Sequence, residues 1–417
     1  MDSTYFGTWC FALALIHTFL APSLSKWEHC VPVGPLRRAF HMAAEAELII
    51  GFYALLYIIG LGSTNSYEEA VRYLSTRPFA EPIFVIIILV IAAQPPVLNT
   101  VHKLIELNAK IIPIPPRIAL YCATLIVGPL LGSLVTEPAA MTVTALILVD
   151  DFFKKGVSPT FRYATLGLLL VNISIGGTLT PYAAPPVLMV ASSWGWDLSF
   201  MMQHFGYKAI LACIIATAGV AWFLRKELQQ IPPSKKHKQN AIPLWVILVH
   251  LFFVALCVRY GHHIILSVGI FILFLGFVSI TKTHQPPLKL KQGVMVGVFL
   301  AGLVILGEPQ QWWLVPLLSG ELSPSMLYWG SVVLTAFTDN AALTYLGTLV
   351  PHLADASRYA LVAGSVVGGG LTVIANAPNP VAFGLLTPSF GSQGIRPLKL
   401  LFAALFPTAV AAACFLM

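Results

Sequence analysis

Two acidic residues carry the chemistry that can be expected of this chain. Glu137 stands in VTEPAAMTV (Val135–Val143) and Asp339 in FTDNAALTY (Phe337–Tyr345). With Thr136 set against Thr338, Glu137 falls on Asp339, Ala139 and Ala140 on Ala341 and Ala342, Met141 on Leu343, and Thr142 on Thr344. The offset, 338 − 136 = 202, is about half of the 417-residue chain. Apolar sequence flanks both acids. A charged side chain at the centre of a bilayer costs at least ~2.5 kcal/mol, so an acid there needs a partner or a role. No Lys or Arg lies within the surrounding apolar cores, which argues against a structural ion pair. The remaining chemistry is a pair of carboxylates, each able to hold a proton or a cation. The TEP and TDN surroundings suit turns that open helices, with the Thr as cap and Pro138 in the first turn.

A second pair of motifs follows the first. GGTLTPYAAPPVLM (Gly176–Met189) and GGGLTVIANAPNPVAF (Gly368–Phe383) align with an offset of 368 − 176 = 192. Gly176, Gly177, Leu179, Thr180, Ala183 and Pro186 match Gly368, Gly369, Leu371, Thr372, Ala375 and Pro378. Glycine and proline at this density, with Pro181 and Gly370 adding to it, break a helix. Lipid cannot satisfy the freed carbonyls, so they must face protein or line a cavity. Together with Thr136, Thr178, Thr180, Thr338, Asn340, Thr372 and Asn376 they offer oxygens to a hard monovalent cation such as Na⁺. The competing reading of the glycines is close packing of small residues between membrane helices.

The elements that position these residues are membrane helices. Hydrophobic residues make up 57% of the chain and charged residues 10%, against roughly 25% charged in a soluble domain. Mean hydropathy is +0.82. Apolar runs of membrane length predict spans at about 6–24, 40–62, 82–101, 161–200 and 206–225 in the first half. The second half gives 242–260, 263–281, 292–307, 358–390 and 397–417. Interrupted stretches at 117–153 and 312–352 hold the two acids. The most polar and basic segment, Arg225–Asn240, separates the halves, so the chain divides into repeats at 1–226 and 242–417 joined by a linker at 227–241. The expected fold is an all-α polytopic membrane protein. Its two repeats are inverted, each with a re-entrant hairpin and a broken transmembrane helix.

Lys and Arg gather between spans, as the positive-inside rule requires, so the net charge of +7 points to orientation rather than to nucleic acid. With the linker in the cytoplasm, both termini fall on the external face of a cell inner (plasma) membrane. An odd number of crossings in each half inverts the second half relative to the first. Six scattered cysteines without a CxxC indicate neither a metal centre nor a disulfide framework. The first apolar run starts at Phe6 behind Asp2, with no basic region before it, so a cleaved signal peptide is not expected.

This pattern resembles the ion transporter superfamily, and within it sodium/proton antiporters of the NhaD and NhaE type. The layout covers the whole chain. The family places an acid at each hairpin tip, where TEPAAMT and TDNAALT stand, and a helix break where the two glycine-rich motifs stand. The resemblance implies exchange of Na⁺ or another monovalent cation for H⁺ by alternating access, no cofactor, and a homodimer. This chain departs from the NhaD pattern at Glu137-Pro138, where that group has Asp-Asn. It departs again at Ala183-Ala184, where that group carries an acid. It therefore fits a divergent antiporter group.

The alternative on the same scaffold is an anion transporter for dicarboxylates or oxyanions. Helix N-termini would then face the substrate from neutral tips. Two central acids repel an anion, so the cation reading leads. A channel or a membrane scaffold has no positive signal, and no enzyme signature appears. Glu45 and Glu47, near His41, read as interface residues, with a proton entry path as the alternative. His17 and His250 read as packing residues. Asp150, Asp151, Lys154 and Lys155 read as the solvated base of the first hairpin, and Tyr67–Arg77 as an external segment with a short surface helix.

Overall fold

A computed structural model describes residues 3–232, 242–261, 263–284, 287–318, 322–391 and 393–417. Every regular element among them is helical. Most of the expected linker (233–241) lies outside these residues. Six helices are long and apolar enough to cross a membrane: Ser3–Ala21, Glu47–Thr64, Pro116–Val135, Leu198–Gln230, Lys291–Leu318 and Pro397–Phe415. A seventh is formed if Tyr67–Ser75 and Ala80–Ala92, bent by 64°, count as one span.

The chain begins with α1 (Ser3–Cys30), α2 (Pro35–Ala44) and α3 (Ala46–Thr64). The expected span at 40–62 is thus two helices. Glu45 is extended (φ −80°, ψ 103°), and α2 has no buried residue. α4 (Tyr67–Ser75) is the short surface helix, capped where Ser66 accepts a hydrogen bond from Glu69 N–H. The expected span at 82–101 is also two helices, α5 (Ala80–Ala92) and α6 (Pro95–Ile111). Pro95 and Pro96 lack the N–H groups a continuous helix needs, so α6 has to start there.

Two helices then turn back on each other. α7 (Pro116–Val135) and α8 (Glu137–Asp151) are joined by the single residue Thr136. A Cβ built on Gly128 would meet Thr144, and one on Gly132 would meet Ala140, so the pair runs antiparallel with its tip at Thr136. At the far end of the pair Arg117 binds Asp151 at 3.3 Å. α9 (Pro159–Gly176) stops at the first Gly-Gly, and α10 (Pro185–Trp194) starts at Pro185-Pro186. α11 (Leu198–Met201) passes through one π turn into α12 (Tyr207–Gln230).

The second half starts with α13 (Leu244–Tyr260) and α14 (Ile264–Ile280), both 17 residues. At 1.5 Å per residue each is about 25 Å long, short of a ~30 Å hydrocarbon core. α15 (Lys291–Gly307) and α16 (Gln311–Leu318) follow, then α17 (Pro324–Thr335) and α18 (Asn340–Thr348) around Asp339. α19 (Asp355–Gly368) stops at the second glycine run and α20 (Asn379–Leu386) resumes ten residues later. α21 (Pro397–Phe415) closes the chain, its last turn held by Tyr359 OH and Lys208 Nζ, which both donate to Phe415 O.

The two halves interlock through these interruptions. α10 packs on α18, α20 packs on α8, and α9 crosses α19. His17 Nε2 contacts Ala43 O at 2.9 Å, and His250 lies edge-on to Phe274 and Phe277, so both histidines pack locally.

Candidate functional site

Glu137 is the first residue of α8 and is fully buried. Its carboxylate reaches across the chain's midpoint, where Asn376 Nδ2 donates to Oε2 at 2.9 Å. Oε1 is buried without a hydrogen-bond partner in the protein. Gly177 makes the room: a Cβ there would stand 2.4 Å from Oε1 and 2.6 Å from Cγ. The second glycine of the first break is therefore a slot for the first acid.

Thr136 sits at the N-cap position of α8 but does not cap it, contrary to the sequence expectation. Its φ of 118° is rare for a residue with a side chain, and such strain persists only where the surroundings enforce it. Its hydroxyl is buried and unpartnered. In the second tip the cap is again not the threonine. Asp339 has the extended backbone of an N-cap, and its Oδ1 accepts from Ala341 N–H (2.8 Å) and Ala342 N–H (3.3 Å). Its side chain reaches both amides, so Thr338 is left to line a cavity instead.

The breaks are fastened to the tips. Ser133 Oγ donates to Gly176 O and accepts from Leu179 N–H, while Thr180 Oγ1 donates to Ser133 O. Thr178 Oγ1 donates to Ile175 O, in the last turn of the helix that precedes it. On the other side Thr372 Oγ1 donates to Ala336 O at 2.9 Å. Asn379 Nδ2 ties Gly369 O to Thr372 O, both at 2.8 Å. Asn340 N–H donates to Ala375 O, joining the second tip to the second break. Gly176 and Gly368 lie against the backbones of Pro129 and Val332, and Gly370 against Val171. Pro378 sits at the N-cap of α20, and Pro181 lines a surface cavity with Thr180.

In the tips, the breaks and the helix ends beside them, Glu137 Oε1, Thr136 Oγ1, Thr335 Oγ1, Asn340 Oδ1, Asn376 Oδ1 and Asn379 Oδ1 have no hydrogen-bond partner in the protein, and neither does one buried donor, Asn340 Nδ2. Each such group costs about 1–3 kcal/mol when left bare. Among the described residues neither Glu137 nor Asp339 forms an ion pair with Lys, Arg or His. A desolvated donor set of this kind suits a small cation or a proton and repels an anion.

The two acids differ in their surroundings. Asn376 corresponds to Ala184 in the first break (376 − 192 = 184), so no amide stands in the matching place for Asp339. Asp339 opens instead onto a narrow cavity of about 80 Å³, which it lines with Thr338, Asn376 and Glu47. Beyond Thr136 and Pro138 lies a smaller gap that includes Tyr182. Tyr182 also lines a cavity of about 310 Å³ with Glu81 and Thr180. Glu137 itself lines none of these spaces; its hydrogen-bond partner Asn376 lines the first and its chain neighbours Thr136 and Pro138 line the smaller gap.

The family model described as "Putative Na+/H+ antiporter" matches residues 4–417. The chain belongs to this family. No curated protein matches it. Membership makes this antiporter-family chain a multi-pass membrane transporter rather than an enzyme.

Ser133, Ser174, Asn379 and Glu81 were not singled out in the sequence. Asn379 carried a readable signal, as an amide inside the proline-rich half of a break. Ser133 and Ser174 carried none, because a lone serine in an apolar helix is ordinary.

Proposed function

We propose that this protein exchanges a monovalent cation, Na⁺ by the family's name, for protons across a plasma or inner membrane. Glu137 and Asp339 are the carriers. The observation behind this is the pair of acids without basic partners among buried oxygens that lack donors. An ionised carboxylate in such a place needs a cation beside it; without one, it needs a proton. The two occupants exclude one another, and that exclusion couples their movement. Thr136, Asn340 and Asn376 supply further oxygens. Thr178, Thr180, Thr338 and Thr372 hold or line the tips and breaks.

Inverted repeats give the alternation its two end states. Several matched contacts support them. Thr180 bonds Ser133 O and Thr372 bonds Ala336 O, while Gly176 meets Pro129 and Gly368 meets Val332; in both pairs the second partner stands one residue past the tip offset of 202. Ser174 Oγ donates to Val366 O, its own counterpart at the break offset (366 − 174 = 192). A residue that touches its counterpart lies on the axis relating the halves. The NhaD/NhaE likeness of tips and breaks, re-entrant hairpins with both termini external, and a dimer belong to the same reading.

The exclusion is tested in detergent solution. Adding Na⁺ to weakly buffered, purified protein is expected to release protons, and Glu137→Gln or Asp339→Asn to reduce that release. Release unchanged in both variants would remove the two acids from the mechanism.

A further inference from the structure

The sequence places Glu47 at a membrane interface, but its position in the fold gives it more to do. It lies in the first turn of α3, partly buried, and lines two spaces at once. One is the narrow cavity that holds Asp339, Thr338 and Asn376. The other is a wide basin of about 690 Å³ formed with Glu45, Lys289, Lys291 and Gln292. Val296, Ala377 and Pro380 line both spaces, so the two adjoin along one wall with Glu47 at the junction. Asn376, 1% exposed, lines the inner cavity and has an unpartnered Oδ1.

Neighbouring charges leave Glu47 available. Lys291 Nζ is 2.6 Å from Glu45 Oε1, and His41 Nε2 is 3.4 Å from the same oxygen. Lys289 is exposed in the basin. Among the described residues Glu47 forms no ion pair, and the charges that act on it from the basin are those of Glu45 and Lys291. Inward, the titratable group that lines the same cavity is Asp339, on which the charge of Glu47 acts. From α1, Thr18 and the apolar Leu15 and Phe19 close the wall.

We propose that Glu47 is the proton-entry residue for Asp339 on the face that carries Lys289 and Lys291. The proposal rests on the exchange reading above. A proton from water in the basin adds to the Glu47 carboxylate. It then passes to Asp339 directly or through one water: the O–H bond on Glu47 breaks as one forms on Asp339. The departing cation balances the charge. In the reverse half-cycle the same hop runs outward. A carboxylate at the junction is needed because the inner cavity is narrow and mostly apolar, with Thr18, Glu47, Thr338, Asp339 and Asn376 as its polar lining.

The experiment compares wild type, Glu47→Gln and Glu47→Asp in proteoliposomes. It follows cation-dependent ΔpH dissipation with and without imidazole as a diffusible proton carrier. Glu47→Gln is expected to slow exchange about 10-fold or more, since positioned proton transfer is worth ~10²–10⁴-fold. Imidazole or Glu47→Asp should recover part of the rate. Na⁺-induced proton release from detergent-solubilised Glu47→Gln should stay at the wild-type level, because the carriers are intact. Wild-type exchange by Glu47→Gln would overturn the proposal and leave the exchange reading standing. So would a loss that neither imidazole nor aspartate relieves. Absence of proton release in wild type would overturn both.

Discussion

Adding one methyl group at Gly177 separates the role of the site from the stability of the fold. In Gly177→Ala the new Cβ would lie 2.4 Å from Glu137 Oε1 and 2.6 Å from its Cγ. Ordinary contact begins near 3.4 Å, so the carboxylate must retreat by about 1 Å. The obstacle is a side-chain end, which can swing, so folding should survive. The retreat draws Oε2 from the Asn376 amide now at 2.9 Å and shifts the charge within its donor set. A misplacement of 1 Å can cost about 10²-fold in rate, and that is the expected loss of exchange. Gly176→Ala is the contrast. Its Cβ would meet the backbone C and O of Pro129 at 2.8 Å, and a backbone cannot swing. That variant should pry α9 from α7 and lose about 1–3 kcal/mol of stability, as overpacked sites do. The assay is exchange in proteoliposomes beside thermal unfolding in detergent. Gly177→Ala exchanging at the wild-type rate would refute the reasoning, as would a Gly177→Ala protein less stable than Gly176→Ala.

Three further outcomes follow from the same geometry. If protons and cation share the carboxylates, lowering the pH should raise the apparent KM for the cation and leave the maximal rate nearly unchanged at saturating cation; a fall in maximal rate alone would point to separate sites. Asn376→Leu removes the donor to Glu137 Oε2 and should destabilise the cation-free protein by about 1–3 kcal/mol, measured as a lowered unfolding temperature that added Na⁺ does not recover to the wild-type value. In a Cys30→Ser background, Ser75→Cys should react with an impermeant thiol reagent in intact cells, and Lys226→Cys only after permeabilisation; the reverse pattern would invert the orientation.

Much of the site was legible because the chain states it twice. Thr136 to Thr142 and Thr338 to Thr344 repeat types in register, and acids in apolar sequence are costly enough to be conspicuous. The breaks were legible for a related reason: Gly176-Gly177 and Gly368-Gly370 interrupt otherwise continuous apolar runs. Other features were not legible. The sequence suggests Thr136 and Thr338 as caps, but the strained φ of Thr136 and the reach of Asp339 to two amides are set by tertiary packing. The starts of α3 and α6 are lost when hydropathy is averaged over a whole span, although Pro95-Pro96 after Gln94 is a readable helix start. The difference between the two acids follows from Asn376 facing Ala184's place in the repeat, and pairing across 239 residues cannot be read from either motif alone. Glu47 looked like an interface residue because one dimension places it at the start of a helix, while the fold places it between two cavities.

The central claim is exchange through Glu137 and Asp339, and one reconstitution tests it most directly. Purified protein is placed in liposomes with a pH dye, a proton gradient is imposed, and Na⁺, Li⁺ and K⁺ are added one at a time. The wild type should dissipate ΔpH on addition of at least one of these cations. Glu137→Gln and Asp339→Asn, inserted to the same level, should each abolish the response. Full dissipation by both neutral variants, or dissipation driven by a dicarboxylate or oxyanion in place of a cation, would contradict the account.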